Sequence, residues 1–388
     1  HIVYKYEELI GMKFNTKCVH GSGRPDSTGA ISPAIYMSST FSHPKLGDTT
    51  GYQYTRESNP TRDRLEQLIA GLEDGKDALA FSSGMAAVDA VFHLFSPGDH
   101  IILGDDLYGG SIRMFTNIYE QNGIEFTYVG TSDLDAVKAA FKPNTKAVYI
   151  ETPTNPMMEI TDIRALCALA HERNALVIID NTFLSPYFQK PLTLGADIVV
   201  HSGTKFIGGH HDVISGFTIV KDDELAAKLR LTYKTVGACL SAMDSWLVIR
   251  GVKTLALRME QHQKNAIALA EWLKKQPKVT KVLFPGLREH PGYEINKAQT
   301  TGFGGMLSFE VDSEETAKKV LEGIELIQFA ESLGGTESLL TYPVTQTHPD
   351  LKPEDAERKG ITRRLLRLSV GIEDTDDLIA DLEQAFNK

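Results

Sequence analysis

Ala196-Asp197-Ile198-Val199-Val200-His201-Ser202-Gly203-Thr204-Lys205-Phe206-Ile207-Gly208-Gly209-His210 is the stretch that decides the reading of this chain. It begins as a continuous apolar run, the pattern of a strand covered on both faces, then passes into a Ser-x-Thr-Lys turn and a pair of glycines. In open α/β sheets, ligands sit at the carboxyl ends of the strands. There the hydroxyls of Ser202 and Thr204 can donate to a phosphate, and partial desolvation of Lys205 lowers its pKa and makes the amine nucleophilic. On this segment alone, an ordinary surface lysine after a strand fits as well. His201, His210, His211 and Asp212 invite a metal reading, but no HExxH-type or other ordered ligand spacing accompanies them, and no metal is expected.

Three further segments add weight to that turn. Leu176-Val177-Ile178-Ile179-Asp180-Asn181 is an apolar run that ends in a carboxylate. At a strand's carboxyl end, such a group is well placed to hold a pyridine nitrogen protonated; by itself it reads equally as a cap or turn aspartate. Phe81-Ser82-Ser83-Gly84-Met85-Ala86-Ala87 follows another run and opens a helix whose apolar face is Met85, Val88, Phe92 and Phe95. The backbone amides of Gly84 and Met85 would point at an anion, aided by the helix dipole, although a plain capped helix start has the same pattern. Gly51-Tyr52-Gln53-Tyr54-Thr55-Arg56 puts Tyr54 and Arg56 in an extended loop, where both can reach one phosphate. Their place in an arm outside the sheet suggests a reach across to another subunit.

From about residue 60 to 220, short apolar runs alternate with helical patterns: 78–81, 100–103, 126–129, 147–150, 176–179, 198–200 and 217–220. That alternation predicts βαβ units and a parallel sheet in an α/β domain. Asn59-Pro60 supplies an N-cap and a first helical residue, and Leu65, Leu68, Ile69 and Leu72 share one helical face. Residues 13–60, rich in Gly, Ser, Pro and Thr, read as an extended arm or loop region. A helical stretch over 242–275, broken near Gly251, precedes a strand-like run at 306–311 and helical patterns at 314–322 and 376–385. The expected division is an arm (1–58), a large cofactor-binding domain (59–251) and a smaller C-terminal α/β domain (252–388).

At 388 residues, with 42% hydrophobic and 23% charged, the chain can bury a large core without disulfides or structural metal. Its three cysteines, Cys18, Cys167 and Cys239, form no CxxC pair, which suits a reducing compartment. A net charge of −11 repels polyanions, so nucleic acid is not an expected partner. No apolar run approaches the ~20 residues that span a bilayer, and the first residues lack the apolar stretch of a signal peptide. The expectation is a cytoplasmic protein with no membrane partner. Met12 is a candidate start, with residues 1–11 an extension.

Taken jointly, the motifs YTRESNPTR (54–62), SSGMAA (82–87), DDLYGGS (105–111), ETPTNP (151–156), IIDNTF (178–183), HSGTKFIGGHHD (201–212), AESLGGTESL (330–339) and RLSVGIED (367–374) resemble the Cys/Met-metabolism family of pyridoxal-phosphate enzymes. The resemblance runs from about residue 14 to near the end. It implies the aminotransferase-type fold of such enzymes, with pyridoxal 5'-phosphate as cofactor, bound through Lys205. Asp180 would pair with the ring nitrogen; Ser202, Thr204, Gly84 and Met85 would hold the phosphate, completed by Tyr54 and Arg56 of a neighbouring subunit. Tyr108 would stack on the ring and move protons, Asn155 would lie near the phenolic oxygen, and Arg367 with Ser332 would bind the carboxylate of a small amino-acid substrate. The family is typically a homotetramer of two active dimers with shared sites.

Within that resemblance, Gly203 stands where Ala is usual, and His211 follows the usual GGH at a variable position. The stretch 341–348 is similar to bacterial γ-lyase-like members. Methionine γ-lyases usually carry Cys where Gly110 stands, while Arg113 and Glu331 occupy positions at which cystathionine-handling members keep Arg and Glu. A cation and an anion there could recognise the distal amino-acid half of cystathionine; a structural ion pair is the plainer reading. The expected chemistry is that of cystathionine γ-lyase or γ-synthase, with cystathionine β-lyase as the alternative and a non-catalytic binding protein as the reading of another class.

Overall fold

The computed structural model describes residues 11–23, 25–349 and 353–388. Residues 1–10 of the suggested extension lie outside the described residues. Each of the seven apolar runs forms a strand: β1 Asp77–Phe81, β2 His100–Gly104, β3 Glu125–Val129, β4 Thr145–Glu151, β5 Leu176–Asp180, β6 Ile198–Ser202 and β7 Gly216–Val220. They form one sheet in the order β1-β7-β6-β5-β4-β2-β3. Two-sided burial explains the continuous runs: along β4, Ala147 and Tyr149 pack into one apolar cluster while Val148 and Ile150 pack into another.

The sheet is α/β and mostly parallel, with one departure from the simple βαβ expectation. Strand β7 runs antiparallel to both β6 and β1. No helical crossover is therefore needed between β6 and β7, and residues 203–215 return directly to the sheet. Lys205 sits on this return loop.

A second sheet, ordered β10-β11-β12-β9-β8, contains β8 Val279–Leu283, β9 Met306–Val311, β10 Gln328–Phe329, β11 Leu339–Thr341 and β12 Leu365–Ser369. Of these, only β9 was expected from the sequence, as a strand-like run that Ser308 and Glu310 interrupt. Between the sheets' sequence segments lie the helices Ala242–Val252 and Leu255–Leu273, broken at Lys253 and Thr254 rather than at Gly251 itself. The C-terminal helices span Glu314–Gly323 and Thr375–Asn387. Among the described residues, no helix is long and apolar enough to cross a membrane.

Two local corrections concern the N-terminal half. The arm carries a short helix, Phe14–His20, docked through buried Cys18 and a 2.9 Å ion pair from Lys17 to Asp74. The helix after β1 ends at Phe92, so Phe95 packs beyond it rather than on its face. The first strong helix, Pro60–Leu72, starts as its sequence dictates. Asn59 accepts from the Thr61 amide at 2.9 Å, and Leu65, Leu68, Ile69 and Leu72 are fully buried.

Candidate active site

The carboxyl ends of β4, β5 and β6 deliver Glu151, Asp180 and Ser202 to one cleft of about 450 Å3. Asp180 is fixed by the turn that follows it: its Oδ1 accepts the Thr182 amide at 2.9 Å and the Thr182 hydroxyl at 2.5 Å. Burial raises its pKa, while those two hydrogen bonds and the charge of nearby His201 favour the ionised form. His201 itself leaves the opposite side of β6 and bonds Glu73 at 2.5 Å, both side chains fully buried. His210 bonds the Gly208 carbonyl at 2.8 Å, and His211 lies 3.7 Å from Glu337. Among the described residues, no group of three or more His, Cys, Asp or Glu is arranged to hold a metal ion.

Lys205 faces the same cleft. Burial, reinforced by the Arg367 charge and opposed by Glu331, pushes its amine down to about 8. Its Nζ donates to Ser332 Oγ at 2.7 Å. Ser332 holds φ at +81°, a left-handed conformation that a non-glycine residue adopts at a cost. Arg367 comes from the middle of the second sheet, on β12, and is almost completely buried. It donates to Asn155 Oδ1 at 2.8 Å, the Ser332 carbonyl at 3.0 Å and Thr341 Oγ1 at 3.2 Å. Among the described residues, its Nε is buried without a partner. One hydrogen-bonded chain thus links Lys205, Ser332, Arg367 and Asn155.

Beside Lys205, the helix Gly84–Phe92 presents its N-terminus, with Ser83 accepting from the Ala86 amide at 3.0 Å. The first amides of a helix have no partner within it, so those of Gly84 and Met85 are left for a ligand. Gly84 is needed for the approach: a Cβ there would stand 2.9 Å from Ser202 Cβ. The Thr204 hydroxyl accepts the Ser215 amide at 3.0 Å and donates to the Ser215 carbonyl at 3.2 Å. Donation to a phosphate therefore requires Thr204 to release that carbonyl.

Tyr108 stands half-exposed over the cleft, held by its backbone N–H donating to Glu151 Oε1 at 2.9 Å. A side chain at Gly110 would collide with the Tyr108 ring. Arg113 and Glu331, both exposed, line the same cleft. Every site residue expected from the sequence lines it except Tyr54 and Arg56. Those two lie against each other, with the guanidinium 5.5 Å from the Tyr54 ring centre and hydrogen-bonded to the Lys234 carbonyl. Sequence reasoning missed Glu151 and Thr182, which also line the cleft. Glu151 could have been found by the argument that found Asp180, since each is the last residue of its strand.

Comparison with known proteins bears on this geometry. Residues 15–387 match the model of the Cys/Met metabolism PLP-dependent enzyme family. A cystathionine β-lyase of Lactococcus lactis subsp. cremoris is 48% identical over 374 residues, covering 96% of this chain and 98% of its own. A cystathionine γ-synthase of Haemophilus influenzae is 48% identical over 367 residues, covering 94% and 95%. The solved structure of cystathionine γ-lyase from Lactobacillus plantarum, complexed with L-serine, is similar with a TM-score of 0.95 and 48% identity, covering 97% of this chain and 99% of that one. The chain belongs to the Cys/Met metabolism family of PLP-dependent enzymes, and its cofactor is pyridoxal 5'-phosphate. The residues present fit that group: a partly buried carboxyl at a strand end, a lysine of lowered pKa, and a side-chain-free helix start beside Ser202.

Proposed function

We propose, on the premise of that family membership, that the chain performs transsulfuration at a carbon–sulfur bond, as a cystathionine γ-lyase or γ-synthase. The observation that carries the reading is the arrangement of charges in the cleft. Buried Arg367 offers its charge and its unengaged Nε–H to the α-carboxylate, while exposed Arg113 and Glu331 line the same cleft and suit the charged distal half of cystathionine. Gly110 stands where methionine γ-lyases usually carry a cysteine, which argues against that activity.

When bound, the cofactor delocalises the electron pair left at the substrate's Cα. In this reading Lys205 Nζ removes the Cα proton and, for a γ reaction, a proton at Cβ. The Tyr108 hydroxyl protonates the departing sulfur or assists the incoming nucleophile. Asp180 would hold the ring nitrogen's proton, Asn155 would lie near the phenolic oxygen, and Gly84, Met85, Ser202 and Thr204 would bind the phosphate. Tyr54 and Arg56 complete that phosphate site from a neighbouring subunit in a homotetramer, a reading supported by their absence from their own chain's cleft. A cytoplasmic location is part of the proposal, supported by the sparse, unpaired cysteines.

Incubation with cystathionine separates the reactions. Cysteine with 2-oxobutyrate identifies γ-elimination; homocysteine with pyruvate identifies the β-elimination alternative. Cystathionine formed from an O-acylhomoserine and cysteine identifies γ-replacement. Purified wild type is expected to be yellow and Lys205→Ala to lose the lysine-bound cofactor absorbance. A colourless wild type that cannot be reconstituted would overturn the proposal.

A further inference from the structure

Strands β4 and β5 pair in parallel with Glu151 directly opposite Asp180. Adjacent strands lie about 4.8 Å apart, so paired residues project to the same face as neighbours. Glu151 is buried and Asp180 partly buried at the floor of the cleft, both withdrawn from bulk water. Two such groups side by side out of water do not both ionise, because each charge disfavours the other.

The donors decide which group carries the charge. Asp180 accepts both the amide and the hydroxyl of Thr182 and feels His201. Glu151 accepts one amide, that of Tyr108. The groups acting on Glu151 are Asp180 and Asp106 as acids and Arg367 as the cation, and the guanidinium is already engaged with Asn155, Ser332 and Thr341. Burial, then the Asp180 charge, holds the Glu151 pKa well above the carboxylate range.

We propose that Glu151 is a positioning residue that works as a neutral acid, its carboxyl oxygen fixing the Tyr108 backbone so that the phenol stands over the group paired with Asp180. The inference rests on the functional reading for what Tyr108 does, and on the pairing, burial and hydrogen-bond donors of the two carboxyls for the protonation state. Neutrality has a purpose here: a second carboxylate beside Asp180 would compete with it for the cofactor's ring proton, whereas a neutral acceptor positions Tyr108 without adding charge. The hydrogen bond is to a main-chain N–H, which either form of the acid can accept, so an amide should substitute for it.

The test is an infrared difference spectrum between wild-type holoenzyme and Glu151→Gln at neutral pH. A protonated-carboxyl band lost in the variant supports the proposal; loss of ionised-carboxylate bands overturns it. Kinetics and cofactor circular dichroism test the positioning. Glu151→Ala should lower kcat about tenfold, the scale of one lost hydrogen bond, with KM little changed and the cofactor dichroism altered. Glu151→Gln should recover most of both losses. A Gln variant as impaired as the Ala variant, or an Ala variant with wild-type kcat and dichroism, overturns it. If Glu151→Ala does not fold, the infrared result and the Gln variant still decide. Failure of the functional reading is separate: it shows as wild type without bound cofactor or without turnover of any of the three substrates.

Discussion

At Lys205, two effects compete over one nitrogen. Burial and the field of Arg367 favour the neutral amine, Glu331 favours the ammonium, and the first pair wins, lowering the pKa to about 8. Only the neutral amine attacks a carbonyl. The rate at which apoprotein takes up cofactor should therefore rise with pH and level off above about 8, where a solvated lysine of pKa about 10.4 would still be rising. Stopped-flow absorbance across that range checks it; a rate still climbing beyond pH 9.5 or so would refute the lowered value. Asp180 was legible in the sequence because it closes an unbroken apolar run, and Lys205 because it lies in the turn just past another. Glu151 ends an equally apolar run, but its meaning depends on which strand lies beside it. Pairing of β4 with β5 is a long-range fact that no local pattern encodes.

At the scale of elements, continuous apolar runs made the strands of the first sheet readable, and short length or interrupting polar residues hid most of the second. Strand β8 has exposed residues along it, β10 and β11 are two and three residues long, and β12 carries Arg367 among its leucines. A buried arginine in a strand looks like a surface residue until its partners are known. The direction of β7 was equally hidden, since an apolar run reads the same both ways. The return loop before it is braced from outside. Arg258 donates to the Phe206 carbonyl at 2.7 Å and the Gly251 carbonyl at 2.9 Å, passing against Gly209, whose φ is +73°. Gly209→Ala should cost about 1–3 kcal/mol from backbone conformation alone, before displacement of Arg258 adds to it. The expected readout is a melting temperature lower by several degrees, with the cofactor still bound in the surviving folded protein.

For the whole molecule, the arm poses the main question. Ile31, Met37 and Leu46 stand exposed on it, and Tyr54 and Arg56 are absent from the cleft of their own chain. Both features suit a surface completed by another copy of the chain. Complementation tests this directly: Lys205→Ala and Arg56→Ala, each inactive or nearly so, are unfolded together and refolded as a mixture. If Arg56 serves its neighbour, hybrid two-fold pairs contain one intact site, and random mixing restores about a quarter of wild-type activity. If Arg56 serves its own chain, no site is intact and no activity returns. The sequence suggested the arm's role through its position before the first strong helix, but could not place its short helix Phe14–His20, which is held by contacts with distant residues such as Asp74.

The antiparallel return of β7 has a mechanical result. Because β6 and β7 are paired from Ile198↔Val220 to Ser202↔Gly216, the loop between them is pinned to the same sheet at both ends. Within it, Gly208 donates to the Gly203 carbonyl and Gly209 to the Lys205 carbonyl, each at 2.8 Å. The base in the proposed reaction must visit more than one carbon of the substrate, while its backbone is tied into this hydrogen-bonded loop. All of the stroke must come from rotation about the lysine's own aliphatic stem, so this enzyme's working range along a substrate is one side chain's swing, with the sheet as its fixed bearing.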